Sequence, residues 1–211
     1  MTKTIAFVGL GSMGLPMATN LAKAGHAVHG FDTRPEAMDA LAAAGGIRPE
    51  SLAAACSDAH VLILMVVNAA QARTVLIDAG ALAALPAGAH ICLMATCPPD
   101  EVTALGAEIL ASGKRLVDCP VSGGVVGAKA ATLTIMVGAP KEDFDAVAPI
   151  LRALGDKLSA QLGQTVVIEN KAGAGGAIGL DQVAKSPADG YTLGFSSISP
   201  LTLSPYLGKM A

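Results

Sequence analysis

A chain of 211 residues is long enough for one domain, or for one domain joined to a fragment of another. Hydrophobic residues make up 52% of it and charged residues 15%, which excludes a disordered protein. The net charge of −3 gives no electrostatic reason to bind nucleic acid or an anionic membrane. Because aromatic residues are scarce, alanine, valine, leucine and glycine must form the core, as they do when helices cover both faces of a parallel sheet.

The first predicted elements are a strand at 4–9 and a helix at 13–24, with the pattern G-x-G-x-x-G between them. In this position the pattern predicts a phosphate-binding turn, since the start of the helix offers free N–H groups to an anion. Gly9 would permit the tight turn, Gly11 would let a pyrophosphate approach the backbone, and Gly14 would let helix and strand pack closely. The alternative is an ordinary glycine-rich connection.

The second predicted strand, at 27–32, ends at Asp32, 18 residues after Gly14. An acidic residue at this distance typically accepts hydrogen bonds from the adenosine ribose of a dinucleotide. Its charge would repel a 2′-phosphate, which favours NAD, whereas the nearby Arg34 leaves NADP open as an alternative. Asp32 could instead cap the next helix or stabilise a turn before Pro35.

The pattern of strands alternating with helices continues to about residue 155. Helices are predicted at 35–44, 49–56, 70–76, 100–111 and 141–154, and strands at 61–67, 90–94, 115–117 and 133–137. Six or seven strands in this order predict an α/β fold with one doubly wound parallel sheet. Asn68 follows the most apolar strand and is expected to face a ligand crevice at the carboxyl ends of the strands.

The loop at 118–124 is a second candidate site. It ends in Ser122, Gly123 and Gly124, whose hydroxyl and exposed N–H groups could bind a carboxylate. The alternative is a flexible turn.

We expect a cytoplasmic protein without a metal site. Residues 1–3 lead straight into the first strand without a signal sequence, and the longest apolar run, 61–67, is too short to span a bilayer. The cysteines lack C-x-x-C pairing, which favours buried free thiols, and the histidines lack ligand spacing. These residues are Cys56, Cys92, Cys97, Cys119, His26, His29, His60 and His90.

Three motifs in order resemble the β-hydroxyacid dehydrogenase family, which includes 3-hydroxyisobutyrate dehydrogenases and tartronate semialdehyde reductases. They are the glycine pattern at 9–14, Thr96 with Pro98 and Pro99, and the loop at 118–124. The segment 65–71 is most similar to the L-threonate dehydrogenase branch. The resemblance covers about 2–154 and implies a Rossmann-type NAD-binding domain.

The resemblance also implies roles for individual residues and a reaction, the reversible transfer of a hydride between NAD and a small hydroxy acid. A homo-oligomer stays open as the assembly. The pyrophosphate would be bound by Gly9, Leu10, Gly11, Met13 and Gly14, and the adenosine ribose by Asp32. The nicotinamide half would lie along Val67, Asn68 and Thr96, and the substrate carboxylate on Ser122, Gly123 and Gly124.

The chain departs from the family pattern after residue 154. The family uses a lysine as general acid and base in a glycine-rich segment that opens a helical domain. In the best overlay on 173–182, Gly179 stands at the lysine position, and Lys171 and Lys185 are out of register. Neither the lysine nor the helical domain is recognisable, so we assign no catalytic residue. We expect retained NAD binding with impaired turnover, or an inactive NAD-binding protein.

The last part of the chain resembles a different family. The runs 169–176 and 188–193 are similar to solute-binding receptors of tripartite tricarboxylate transporters. They predict a partial α/β fragment in place of the helical domain, with a helix at 156–164, a strand at 165–170, a helix to 185 and a strand near 191. We therefore expect a fusion of an NAD-binding domain, 1–154, with a receptor fragment, 155–211. Chance similarity in a tail rich in glycine and alanine is the alternative. A solute-binding module is disfavoured, because an export signal and the second receptor lobe are not seen.

Overall fold

A parallel sheet forms the centre of the N-terminal part of the protein. The computed structural model describes residues 2–155, 181 and 183–187. The strands of this sheet are β1 (Thr4–Val8), β2 (Ala27–Phe31), β3 (Val61–Leu64), β4 (His90–Leu93) and β5 (Arg115–Asp118). Their order is β2-β1-β3-β4-β5, and every neighbouring pair is parallel. The chain therefore moves outward from β1 to β2 and then crosses back to β3, which places the change of direction between β1 and β3.

Eight α-helices lie within residues 2–155. They are α1 (Gly14–Lys23), α2 (Pro35–Ala43), α3 (Leu52–Cys56), α4 (Ala69–Arg73), α5 (Ala81–Ala84), α6 (Pro99–Ala111), α7 (Gly124–Ala130) and α8 (Lys141–Gly155). Local signals explain several helix starts. Proline stands in the first turn of α2 and α6, α6 adds two acidic residues there, and Ser51 caps α3 by accepting from Ala54 N–H at 3.1 Å.

Two apolar cores lie on opposite faces of the sheet, because successive strand side chains point in opposite directions. In β1, Ile5 and Phe7 pack with α1, α2, α7 and α8, whereas Ala6 and Val8 pack with α3, α4, α5 and α6. Strand β3 divides in the same way, and all four of its side chains are buried. The predicted doubly wound α/β sheet is thus confirmed.

The edge of the sheet beside β5 differs from the prediction. The expected strand at 133–137 contributes only β7 (Thr134–Ile135), which pairs antiparallel with β6 (Val121–Ser122) in a separate two-stranded sheet. The chain returns along β5 in the opposite direction, where an antiparallel bridge joins Asp118 to Gly138. The prediction of six or seven parallel strands was therefore wrong for this segment, and the parallel sheet has five.

Several helices also differ from the prediction. Helices α5 and α7 were not predicted, and α7 contains Gly124 and Gly127, which disfavour helix. The predicted helix at 70–76 is α4 followed by a π-helical turn, Thr74–Asp78. The strand predicted at 61–67 ends at Leu64, so Val67 and Asn68 lie in the connection that follows it.

Histidines lie at the amino ends of three strands. The Nδ1 atoms of His26 and His60 accept hydrogen bonds from the backbone of Lys3 and Thr4, both at 3.3 Å. His90 Nε2 lies 3.1 Å from Asp143 Oδ1, and the Asp143 side chain is buried on α8. Burial lowers the pKa of His26, which favours the neutral ring that such an acceptor needs.

The chain divides into two compact units, Met1–Val166 and Val167–Ala211. In the second unit Asp181 and residues 183–185 are helical, and Lys185 Nζ pairs with Asp181 Oδ2 at 2.7 Å. The elements predicted at 156–180 and from 188 onward lie outside the described residues. Across the residues that are described, each helix falls short of the length and apolar character needed to cross a membrane.

Candidate functional site

The predicted site residues follow strands at one edge of the sheet. Backbone hydrogen bonds extend the ladder just beyond the strands, from Met65 N to Val8 O at 2.9 Å and from Cys119 N to Leu93 O at 2.8 Å. The connections after β1, β3, β4 and β5 therefore leave at the same carboxyl edge, and Asp32 follows β2 there. This edge contains the change of chain direction between β1 and β3, where ligands of doubly wound sheets bind.

The glycine turn after β1 is fixed by close backbone packing. Gly9 has a φ of +96°, which disfavours a side chain, and a Cβ there would lie 2.3 Å from Met65 O. A Cβ on Gly14 would lie 1.8 Å from Gly9 O. The turn therefore holds the start of α1 against β1 and lies directly beside the end of β3.

Gly11 differs from these two glycines because a Cβ there would meet no atom within 4 Å. Within the described part of the chain, the N–H groups of Gly11, Ser12 and Met13 donate no hydrogen bond, and no side chain caps α1. The turn that leads into the ten-residue helix α1 thus presents free donors beside open space. This arrangement fits a phosphate group.

Asp32 connects the end of β2 to the glycine turn. Its Oδ2 accepts from Leu10 N–H at 2.7 Å, and its Oδ1 accepts from Arg34 N–H and Nε–H, both at 3.0 Å. Arg34 Nη2 also donates to Asp32 Oδ2 at 3.3 Å and to Leu10 O at 3.1 Å. Partial burial would raise the pKa of Asp32, but the hydrogen bonds from Arg34 and Leu10 outweigh it and lower that pKa.

The residues predicted to lie along a nicotinamide ring follow β3 and β4. Asn68 caps α4, and its side chain accepts from Gln71 N–H at 3.0 Å. Gln71 Oε1 in turn accepts from Val67 N–H at 3.1 Å. Val67 is 76% exposed. Thr96 is exposed after β4. Asn68 is thus already used in a helix cap, and its expected contact with a cofactor stays a prediction.

The predicted carboxylate loop forms the start of α7. Ser122 pairs with Thr134 across β6 and β7, and Gly123 and Gly124 have φ values of +128° and +58°. A Cβ on Gly124 would meet nothing within 4 Å, so that side of the loop is open. The geometry leaves room for a small ligand, and the role of the loop stays a prediction.

Three contacts at this edge were not foreseen. Arg34 is bonded to both Asp32 and Leu10, and Gln71 completes the cap of α4. The Asn20 amide of α1 donates to Ala128 O of α7 at 2.8 Å and joins the two helices that follow the predicted ligand regions. A polar residue inside an otherwise amphipathic helix is the only signal for Asn20. Among the predicted site residues that the structure describes, Leu10 and Asp32 are joined directly by a hydrogen bond.

Burial also affects acidic and thiol groups near β5. It raises the pKa of Asp118, at the end of this strand. The cysteines are free thiols, as predicted, although Cys97 is only partly buried. Burial and then the nearby charges of Asp118 and Glu101 raise the pKa of Cys97, which makes it a weak nucleophile.

A shallow depression of about 260 Å³ lies at the opposite, amino end of the strands. Its lining contains none of the predicted site residues and consists of Lys3, Asp58, Ala59, His60, Pro86, Ala87, Gly88, Ala89 and His90. The assignment of a functional site therefore depends on the carboxyl edge.

Known proteins match the chain in two regions. Residues 4–163 match the family model of the NAD-binding domain of 6-phosphogluconate dehydrogenase. Residues 150–211 match the model of the tripartite tricarboxylate transporter family receptor. The two matches overlap at 150–163 and follow the order of the two resemblances in the sequence.

Individual relatives agree with the first match. An L-threonate dehydrogenase of Cupriavidus necator is 38% identical over 159 residues, covering 75% of this chain and 54% of its own. An NAD-dependent L-serine dehydrogenase of Pseudomonas aeruginosa is 39% identical over 154 residues, covering 72% and 52%. The chain thus spans about half the length of these relatives.

A solved structure agrees with the fold. The 3-hydroxyisobutyrate dehydrogenase of Mycobacterium tuberculosis with L-serine superposes with a TM-score of 0.72 at 35% identity, covering 87% of this chain and 60% of its own. The family model spans most of the chain, and the predicted nicotinamide dinucleotide cofactor agrees with it. The chain belongs to the family of the NAD-binding domain of 6-phosphogluconate dehydrogenase, among the β-hydroxyacid dehydrogenases.

Proposed function

We propose that this protein binds NAD across the carboxyl edge of its sheet, as the cofactor half of a hydroxy-acid oxidoreductase. The observation that carries the proposal is the open space at Gly11 beside free N–H groups at the start of α1. An anionic pyrophosphate would gain these donors and the positive end of the helix dipole. The neighbouring Asp32 carboxylate would accept from the ribose hydroxyls. Bound NAD would supply the hydride acceptor of the reaction.

The other half of the site would hold the nicotinamide and the substrate. Val67, Asn68 and Thr96 follow adjacent strands at this edge, in the right order for a ligand that extends from the glycine turn toward β5. The open face of Gly124 would receive a carboxylate, together with Ser122 and Gly123. L-Threonate, L-serine and 3-hydroxyisobutyrate, the acids named for the relatives, define the substrate class.

We propose further that turnover is impaired. In the β-hydroxyacid dehydrogenase pattern a lysine takes the proton of the alcohol, and Gly179 stands at that position here. Gly179 lies outside the described residues, so this step depends on the sequence alone. A glycine has no group that can accept a proton, and without such a group the alcohol is a poor hydride donor.

The domain assignment that we propose is an NAD-binding domain, 1–154, fused to a receptor-like fragment, 155–211. The matches to two different family models, at 4–163 and 150–211, support it. We place the protein in the cytoplasm, since unpaired cysteines favour a reducing compartment.

Calorimetric titration with NADH tests the cofactor site. We expect binding by the full chain, and at least about a tenfold loss of affinity in Gly11→Asp, because the new carboxylate would face the pyrophosphate. The Gly11 position has room for a side chain, so thermal unfolding should be unchanged. Ala87→Asp adds the same charge at the opposite end of the strands and should bind NADH normally. Absence of NADH binding at millimolar concentration, or normal binding by Gly11→Asp, would contradict the proposal.

A dehydrogenase assay tests the turnover separately. The chain that binds NADH is incubated with NAD and each of the three acids, and NADH formation is followed by absorbance. We expect negligible rates at saturating NAD. Rapid turnover of any of the acids would show that another group accepts the proton, while the cofactor assignment would stand.

The receptor-like match supports a second candidate function, the binding of a tricarboxylate. Titration of the same preparation with citrate tests it. Heat from citrate binding that survives Gly11→Asp would favour this candidate, because the site would then be independent of the glycine turn.

A further inference from the structure

The end of α7 presents a backbone carbonyl, that of Ala128, to a neighbouring helix. Two N–H groups could close onto this oxygen from the same helix, those of Ala131 and Thr132, but both donate to Gly127 O instead. The reason is the left-handed conformation of Ala131, whose φ of +55° ends the helix. Because Ala128 is only 1% exposed, its carbonyl oxygen needs a donor from another element of the protein.

Asn20 of α1 supplies this donor. Its side-chain Nδ2 donates to Ala128 O at 2.8 Å, a normal distance for a hydrogen bond of this type. Asn20 lies in the third turn of α1 and is partly buried, and its own backbone carbonyl accepts from Ala24 N–H in the usual helical way. The side chain is therefore not needed by its own helix, and it caps α7 across the interface between the two helices.

Helix α7 is held by two kinds of contact. The first is apolar packing, in which a Cβ on Gly123 or on Gly127 would lie 3.2 Å from Leu133 Cδ2. The second is the hydrogen bond from Asn20, which has a preferred direction and distance. Another part of the helix faces water, since Val126 is 80% exposed. Without the hydrogen bond, α7 would depend on packing alone, which tolerates small displacements.

We propose that Asn20 is a positioning residue for the substrate carboxylate, because it fixes the helix that begins with Gly124. This inference rests on the proposed function of the loop at 122–124. Gly124 lies about one helical turn before the hydrogen-bonded carbonyl, so a displacement of α7 at that carbonyl also moves Gly124. The glycine turn before α1 is fixed separately by its own backbone contacts. Asn20 should therefore affect the carboxylate region and leave the pyrophosphate region unchanged.

Asn20→Leu tests this role, since leucine has nearly the shape of asparagine and the same charge but donates no hydrogen bond. Calorimetry follows the binding of NADH to the full chain, and then of L-threonate, L-serine or 3-hydroxyisobutyrate to the chain saturated with NADH. Neither ligand can oxidise the other, so binding is measured without reaction. We expect the dissociation constant of the tightest-binding acid to rise about fivefold to tenfold. The NADH dissociation constant should stay within about twofold, and this difference between the ligands distinguishes positioning from a general loss of stability.

Ser112→Ala is the matched control. Ser112 Oγ donates to Ile109 O at 2.6 Å at the end of α6, so the variant loses the same kind of bond at another helix end. Both variants should lower the thermal unfolding midpoint by about 2–4 °C. Only Asn20→Leu should weaken acid binding and speed amide hydrogen exchange in α7. Equal weakening of acid binding by Ser112→Ala would contradict a specific role for Asn20.

Other outcomes would also overturn the inference. Equal losses of NADH and acid affinity in Asn20→Leu would mean that Asn20 supports the whole domain, and unchanged acid affinity would mean that the loop is positioned without it. Either result leaves the cofactor site intact if Gly11→Asp still weakens NADH binding. An unaltered chain that binds NADH but none of the acids would overturn the carboxylate loop and its positioning together. Absence of NADH binding would overturn the proposed function itself and this inference with it.

Discussion

The two ends of the carboxyl edge are built differently. In the β1–α1–β2 unit, the polar groups form hydrogen bonds with one another. Gly9 and Gly14 are fixed by backbone contacts, and Asp32 has four donors. In the segment from β5 to β7, Gly124 faces open space, strands β6 and β7 have two residues each, and the Val126 side chain is 80% exposed.

This difference indicates where the fold is rigid and where it can vary. A dinucleotide has the same pyrophosphate and ribose in every enzyme that uses it. A rigid turn, fixed by contacts within the protein, is therefore suited to binding this part of the cofactor. Substrates differ between related enzymes, and loops at the end of a rigid sheet can change without loss of the fold. Substitutions should therefore cost much more stability in the β1–α1–β2 unit than in the open segment after β5.

The largest effect is expected at Gly14. Gly14→Ala would place a methyl group 1.8 Å from Gly9 O, and the backbone must move to admit it. We expect a loss of about 3 kcal/mol or more in the free energy of unfolding, measured by urea denaturation. Gly11→Ala, three residues away in the same turn, should stay within about 0.5 kcal/mol of the unaltered chain. Similar losses for the two would show that the turn is not locked by this contact.

Asp32 should have the next largest effect. Asp32→Ala leaves the buried Leu10 N–H without its acceptor, at a cost of about 1–3 kcal/mol at pH 7. Because the pKa of Asp32 is lowered in the folded protein, its contribution is present above the unfolded pKa, about 3.9, and is lost as the pH falls through the folded value. Urea denaturation at pH 7 and pH 3 should show the cost of the substitution shrinking in acid. A cost independent of pH would contradict the charge-assisted role.

Asp118, at the open end, should behave with the opposite sign. Burial raises its pKa, so the ionised carboxylate destabilises the fold above the folded pKa, and this cost disappears below the unfolded value. Asp118→Asn should therefore increase stability at pH 7 by about 0.5 kcal/mol, a small gain since water still reaches the half-buried group. The gain should vanish near pH 3 in the same denaturation series. A loss of stability at pH 7 would mean that the ionised group has a favourable partner.

The smallest effect is expected at Val126. Its exposed side chain contributes little to the core, so Val126→Ser should change the free energy of unfolding by no more than the roughly 0.5 kcal/mol typical of surface substitutions. Leu133→Ser nearby, where the side chain is buried, provides the contrast and should cost about 2 kcal/mol or more. A large cost at Val126 would show that this valine is covered in solution.

The sequence predicted the parallel strands because they are short apolar runs bounded by turns, and Val61–Leu64 is apolar at every position. The prediction failed for 133–137, because an apolar run does not indicate whether a strand lies parallel or antiparallel to its neighbour. It failed for α7 because two glycines concealed a helix that is stabilised by packing, with Gly127 close to Leu133.

The positions of the site residues followed from spacing, but their hydrogen bonds did not. The distance from Gly14 to Asp32 is a property of the βαβ unit and can be read from the chain. The hydrogen bonds from Arg34 to Asp32 depend on a side-chain conformation. The capping of α4 by Asn68 depends on where β3 ends. Both features arise from competition between local partners, which a motif does not encode.

The hydrogen bond from Asn20 to Ala128 joins residues 108 positions apart in the chain. Bringing such distant residues together costs loop-closure entropy, which the packing of the intervening strands and helices must offset. Helix α7 lies against α1 because β3, β4 and β5 are aligned in one sheet between them in the chain. The distance between the two predicted ligand regions therefore depends on the whole sheet rather than on either region alone.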